Sequence, residues 1–302
     1  MLRDLYRGAF FLSEPIMSPI WKLPERSIAL DHGPVVMGIL NVTPDSFSDG
    51  GRLADCTAAV DAALAMEDAG AGIIDIGGES TRPYAPAVDA DEELQRVVPV
   101  IQRLRGRLAC PISIDTSKAV VAQAAIDAGA EIINDVTGLQ GDPQMFDVAA
   151  RNKVAICAMH MQGSPQTMQD NPHYDDVVRE IYQYLEARKQ QCLAHGIDSQ
   201  RICLDPGIGF GKTHQHNIAL LQGAAEFLKL GVPILIGHSR KGFIGKLTGD
   251  DLTLRDAGTV GVSLAMAAAG MHILRVHNVA MTVAALKLFQ QSRPPHAIEG
   301  AR

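Results

Sequence analysis

TAAVDAALAMEDAGAGIIDIGG, residues 57–78, contains one complete turn of a rhythm that runs through the chain. Val60, Ala63 and Leu64 share one face of a helix predicted over 57–69, with Asp61 and Glu67 elsewhere, so the segment is amphipathic. Gly70 stops that helix, because glycine adopts the backbone conformation a helix end needs. IIDI at 73–76 follows as a short β-branched strand. DAGAEIIND at 127–135 repeats the same succession.

Working outward, strands are predicted at 35–40, 73–76, 112–114, 131–134, 154–158, 201–204, 233–236 and 272–275. Helices are predicted near 57–69, 90–106, 118–128, 143–151, 174–195, 217–229 and 256–269, with a last one near 279–291. Uniformly apolar strands joined by helices mean a parallel sheet covered on both faces. Eight such units point to a closed (β/α)8 TIM barrel. The rival is a doubly wound open sheet, favoured by GxGxxG after the first strand. Here that strand runs into NVTPDSF (41–47) instead. The division expected is an N-terminal extension over 1–30, punctuated by Pro15, Pro19 and Pro24, then one barrel domain over 31–295.

Composition narrows the function classes. A net charge of −7 argues against a polyanion binder, so no nucleic-acid partner is expected. No apolar run is long enough to span a bilayer, and the N-terminus does not read as a signal peptide, so no membrane partner is expected. Five cysteines with no CxxC pair fit free thiols in a reducing cytoplasm.

Polar residues gather just after the predicted strands, which in a barrel is the C-terminal rim where barrel enzymes carry their chemistry. Asn41, Glu79–Arg82, Asp115, Asn134, His160, Asp205, His238–Lys241, Arg275, His277 and Asn278 all occupy such positions. Lys241, Arg275 and His277 come from the seventh and eighth units, the usual phosphate-binding part of a barrel. Asn41 offers a neutral oxygen to a phosphate-bound Mg²⁺. Asp115, Asn134 and Asp205 sit deeper, and carboxylates beside a carboxamide suit a planar heterocycle with ring N–H, amino and carbonyl groups. The loop DPGIGFGKT (205–213) lacks P-loop spacing and is read as a turn that points Asp205 inward and sets Phe210 over the mouth. His160 and His238 lack zinc-ligand spacing, and GHSRKG is not a nucleophile elbow, so no covalent acyl-enzyme is expected.

VMGILNVTPDSFSDGG (36–51), IIDIGGESTRP (73–83), ISIDTSK (112–118), IINDVTG (132–138), MHMQGSPQTMQ (159–169), LDPGIGFGKT (204–213), GHSRKGFIG (237–245) and RVHN (275–278) together resemble the dihydropteroate synthases. The resemblance runs from about residue 28 to 290. It implies condensation of 6-hydroxymethyl-7,8-dihydropterin diphosphate with 4-aminobenzoate, with Mg²⁺ accompanying the diphosphate. It also implies a cytoplasmic homodimer and a sulfonamide target. By the same resemblance, Asp115, Asn134, Asp205 and Lys241 bind the pterin, and Asn41, Arg275 and His277 form the diphosphate and Mg²⁺ site. Phe47 belongs to a first mobile loop and Thr81, Arg82 and Pro83 to a second; Phe210, Ser239 and Lys241 flank the aminobenzoate. Asp115, Asp205, Lys241 and Arg82 are the expected catalytic residues.

Two positions depart from the family pattern. Tyr84 replaces a small residue after ESTRP, and Asn278 stands where Asp is more common after RVH. A related barrel that transfers a methyl group from methyltetrahydrofolate would not need the NVTPDSF, STRP and SRK segments present here. A non-catalytic paralogue is hinted at only by Tyr84 and Asn278.

Overall fold

The computed structural model describes residues 20–43 and 51–292. Phe47 and most of the predicted N-terminal extension lie outside these residues.

Ten strands are described. β1 (Ile20–Lys22) and β2 (Ser27–Ala29) form an antiparallel hairpin. β3 (Val35–Asn41), β4 (Ile73–Gly77), β5 (Ile112–Asp115), β6 (Ile132–Asp135), β7 (Ala155–Met159), β8 (Ile202–Asp205), β9 (Leu235–Ile236) and β10 (Ile273–Val276) are all parallel, in the order β8-β7-β6-β5-β4-β3-β10-β9. A parallel bridge between Leu204 and Ile234 joins β8 to β9 and closes the ring. The protein is a (β/α)8 barrel, and each of the eight predicted strands is present.

The helices are α1 (Gly51–Asp68), α2 (Ala90–Leu104), α3 (Ala119–Ala128), α4 (Met145–Asn152), α5 (Val177–Ala194), α6 (His214–Gln222), α7 (Gly242–Thr248), α8 (Leu252–Ala268) and α9 (Val279–Ser292). α1 and α8 begin six and four residues earlier than predicted, and two further differences go beyond the ends. The helix predicted over 217–229 divides at Gly223 into α6 and a 3-10 segment, Ala224–Leu230. A Cβ at Gly223 would lie 3.0 Å from Val178 Cγ2 on α5, so close packing governs that break. α7 was not predicted: GFIGKLT is seven residues long with two glycines, which weakens both the periodic signal and helix propensity.

Strand alternation sorts the core into two compartments. Ile74, Ile76, Ile114, Ile133, Ile156 and Leu204 point outward against the helices. Met37, Ile73, Ile132, Cys203, Leu235 and Ile273 fill the lower barrel interior. Two residues further along, the inward positions of β4, β6, β8 and β10 become Asp75, Asn134, Asp205 and Arg275. The change from apolar to polar along one inward face is therefore the change from barrel floor to barrel mouth.

Residues 20–30, to which the sequence reading gave no role, cap the opposite end. Trp21, Leu23 and Leu30 are buried against that interior layer, and the Trp21 indole N–H donates to the Arg201 carbonyl at 3.0 Å. Trp21→Ala is expected to lower the free energy of unfolding by about 3–5 kcal/mol, the range for emptying a large aromatic site. Urea unfolding followed by circular dichroism measures it, and a loss under about 1 kcal/mol would mean that the hairpin does not seal the barrel.

Candidate active site

The strand ends and their following loops enclose a cavity of about 830 Å³ at the C-terminal rim. Asn41, Thr81, Arg82, Pro83, Phe210, Ser239, Lys241, Arg275 and His277 line it. Asp115, Asn134 and Asp205 are buried beneath it at the ends of β5, β6 and β8. Every predicted site residue within the described part thus converges on one mouth, from units spread over more than two hundred positions.

Arg275 organises the floor. Its Nε donates to Asp75 Oδ2 and its Nη2 to Asp115 Oδ2, both at 2.6 Å. Asn134 Nδ2 donates to the same Asp75 oxygen at 3.0 Å. Asp75 was missed by the sequence reading. Its signal was a lone carboxylate inside the apolar strand IIDI, two positions beyond the inward Ile73. Arg275, expected at the diphosphate, spends two of its five N–H donors on the floor.

Burial dominates the electrostatics. It pushes Asp115 up to about 7 against the opposing pull of Arg275, and Asp205 up to about 6 against the Gly207 N–H that donates to it at 2.7 Å. Burial also lowers Lys241, partly countered by Asp205. Burial, followed by the fields of Arg240 and Arg275, holds His277 at about 3. At that value His277 is a neutral imidazole near pH 7.

Local geometry explains how the turns present these groups. Gly207 and Gly209 have φ of 70° and 85°. A Cβ at Gly207 would lie 1.9 Å from the His160 carbonyl oxygen, and one at Gly209 would lie 2.7 Å from Lys241 Cδ. Only glycine lets this loop pass so close to β7 and to Lys241. The Lys241 ammonium sits 3.8 Å from the centroid of Phe210. Lys212, a second residue the sequence reading left without a role, is buried at the cavity edge. It donates to the Phe210 carbonyl at 2.8 Å and lies 3.0 Å from His160 Nδ1, which ties the loop to β7. His238 is buried, with Nε2 2.9 Å from Ser263 Oγ, so both histidines sit in hydrogen-bonded places.

The second loop is fixed from below and from the side. Glu79 and Glu93 both pair with Lys118 at 2.5 Å, and Glu79 also accepts from the Val88 N–H. Tyr84 does not line the cavity. It is 65 % exposed with φ of 63°, and it joins the loop to 165–170 through its N–H to the Pro165 carbonyl and its hydroxyl to Asp170.

Among the described residues no group of three or more His, Cys, Asp or Glu could hold a metal ion, and no helix is long and apolar enough to cross a membrane. All five cysteines are free.

Comparison with known proteins places the chain among relatives of the same fold. Residues 37–277 match the family described as pterin binding enzyme. The dihydropteroate synthase of Haemophilus influenzae is 46% identical over 257 residues, which cover 85% of this chain and 93% of that protein. The structure of Xanthomonas albilineans dihydropteroate synthase with 4-aminobenzoic acid superposes with a TM-score of 0.85 at 48% identity, covering 92% of this chain and 100% of that one. The same Xanthomonas enzyme in complex with 7,8-dihydropteroate gives a TM-score of 0.82 at 45% identity, covering 91% and 100%. With the family motifs converging on one barrel mouth and relatives matched over nearly their whole length, this chain belongs to the pterin-binding enzyme family.

Proposed function

We propose that the protein joins 6-hydroxymethyl-7,8-dihydropterin diphosphate to 4-aminobenzoate, giving 7,8-dihydropteroate and diphosphate, the dihydropteroate synthase reaction of folate biosynthesis. The observation that carries the reading is one cavity with a buried carboxylate–carboxamide floor, a cationic wall and an aromatic–lysine pair at its side. Relatives with the same barrel bind 4-aminobenzoic acid and 7,8-dihydropteroate.

Asp115, Asn134 and Asp205 receive the pterin, whose N–H donors satisfy carboxylates that burial otherwise drives toward protonation. Arg275 and His277 hold the diphosphate, the first as a cation and the second as a neutral donor. The bond from the methylene carbon to the diphosphate oxygen breaks, and the positive charge left on the methylene spreads into the ring. Asp115 and Asp205 face that charge from preset positions, which is where electrostatic stabilisation acts most strongly.

Phe210, Ser239 and Lys241 position the aminobenzoate, with Thr81, Arg82 and Pro83 closing over it. The arylamine nitrogen forms the new bond to the methylene and releases a proton. The amine is a neutral nucleophile, so no strong general base is required, in keeping with a rim whose histidines are neutral. The donor set fits a Mg²⁺ that arrives with the diphosphate. Asn41 offers one neutral oxygen on the cavity wall, and Mg²⁺ commonly takes few protein ligands beside phosphate oxygens and waters. When bound, the ion neutralises charge on the leaving diphosphate.

The reading includes a cytoplasmic homodimer. Five free thiols support the reducing compartment, and exposed Leu247, Leu252 and Leu254 at the turn between α7 and α8 offer an apolar contact surface. In the test, purified protein is sized by light scattering and then incubated with pterin diphosphate, 4-aminobenzoate and Mg²⁺. Dihydropteroate is the expected product; its absence from well-folded protein would remove the proposal.

A further inference from the structure

Arg240 stands between Ser239 and Lys241, the two residues set against the aminobenzoate, and its backbone is in the left-handed region with φ of 56°. Side chains other than glycine keep that conformation only where their surroundings impose it. Here the restraints are explicit. The Arg240 N–H donates to Thr259 Oγ1 at 3.0 Å, and its carbonyl accepts from Arg255 Nη1 at 2.9 Å. Its guanidinium forks onto Asp256, with Nε and Nη2 at 2.6 and 2.9 Å from the two carboxylate oxygens. All three partners lie on α8.

Asp256 is buried and takes one more donor, Asn278 Nδ2, at 3.0 Å. The other end of that carboxamide is also committed: Oδ1 accepts from the Met281 N–H at the start of α9, at 3.1 Å. Asn278 directly follows His277, whose backbone N–H donates to Ser239 Oγ. A carboxylate at 278 has no N–H to give to Asp256, and it would place two negative groups against each other beside one guanidinium. The amide at 278 and the carboxylate at 256 are therefore complementary, and the turn that carries Ser239 and Lys241 rests on both.

We propose that Asp256 and Asn278 act as a matched pair of positioning residues, which hold Arg240 in its left-handed turn and so set Ser239 and Lys241 against the aminobenzoate. The proposal rests on the synthase reading for its substrate.

The test compares the parent with Asn278→Asp, Asp256→Asn and the reciprocal swap of both. In Asn278→Asp the KM for aminobenzoate rises about tenfold and kcat falls by a few-fold, because the same turn carries Lys241, while Tm stays near that of the parent. Asp256→Asn raises the aminobenzoate KM further, about 30-fold, because Arg240 loses its carboxylate. The swap lowers the aminobenzoate KM about threefold below that of Asp256→Asn, since a carboxylate from 278 and an amide from 256 again meet although Arg240 still lacks its carboxylate at 256. Two outcomes overturn the pairing: Asn278→Asp indistinguishable from the parent, or a swap no better than Asp256→Asn. Uniform loss of kcat with a lower Tm in both singles also overturns it, because that is a folding defect. Urea unfolding of the four chains reads the pairing without substrate, and the swap should be more stable than the two singles predict together. A parent with that coupling but no turnover removes the synthase reading and keeps the pair; turnover without the coupling overturns the pair.

Discussion

Lys241→Ala should lower kcat by about 10²–10³-fold and leave the fold intact, the size of effect seen when one preset charged or donor group is removed from a reacting centre. The expectation comes from where the ammonium sits. It lies over the Phe210 ring, in the field of Asp205, on the residue that opens α7. On the proposed reading it stands between the pterin floor and the aminobenzoate wall, so its loss loosens the alignment of the two reactants as well as the charge balance. Its side chain makes no cap hydrogen bond to α7, so truncation should leave circular dichroism and Tm near those of the parent. Near-normal turnover would show that Lys241 does not stand between the two substrates.

Arg275→Ala should be damaging in a different way. It leaves Asp75 and Asp115 buried without their shared guanidinium, and breaking a buried ion pair by deleting one partner costs about 3–5 kcal/mol. Turnover should fall at least about 100-fold, since the proposed reading gives the same residue both the floor and the anion. The pH dependence of the stability loss has a defined sign. Burial already raises the folded-state pKa of Asp115 to about 7, and Arg275 is the main influence opposing that rise, so its removal raises it further. A carboxyl whose folded pKa exceeds its unfolded value binds its proton more tightly in the native state, so stability falls as pH increases through that range. The deficit of the variant relative to the parent should therefore grow as pH rises above about 7 and level off below it. Urea unfolding between pH 5 and 8 checks this, and a loss under about 1 kcal/mol at pH 8 would mean the bridge is not maintained in solution.

The family motifs located the rim because most functional side chains end a predicted strand or come just after it, and strands of this barrel are short apolar runs bounded by Gly, Asp or Asn. Asp75 escaped the same reasoning because it lies within a strand and not after one. Alternation alone assigns it to the inward face, yet nothing local says that Arg275, two hundred positions away, meets it there. Lys212 escaped for a related reason: a lysine in a glycine-rich loop reads as solvated until the loop is seen folded against His160. Tyr84 and Asn278 were legible as departures, but their consequences were not. One turns outward to join two loops, and the other donates to a carboxylate on α8.

Hydrophobic periodicity and glycine stops, both local properties, determined by themselves the eight strand–helix units, the closed barrel and the rim on which the chemistry sits. Charge state and partnership were decided by tertiary structure alone. Whether His277 is a cation, which carboxylates Arg275 holds apart and what keeps Arg240 in its turn depend on desolvation and on groups that adjoin only after the barrel closes.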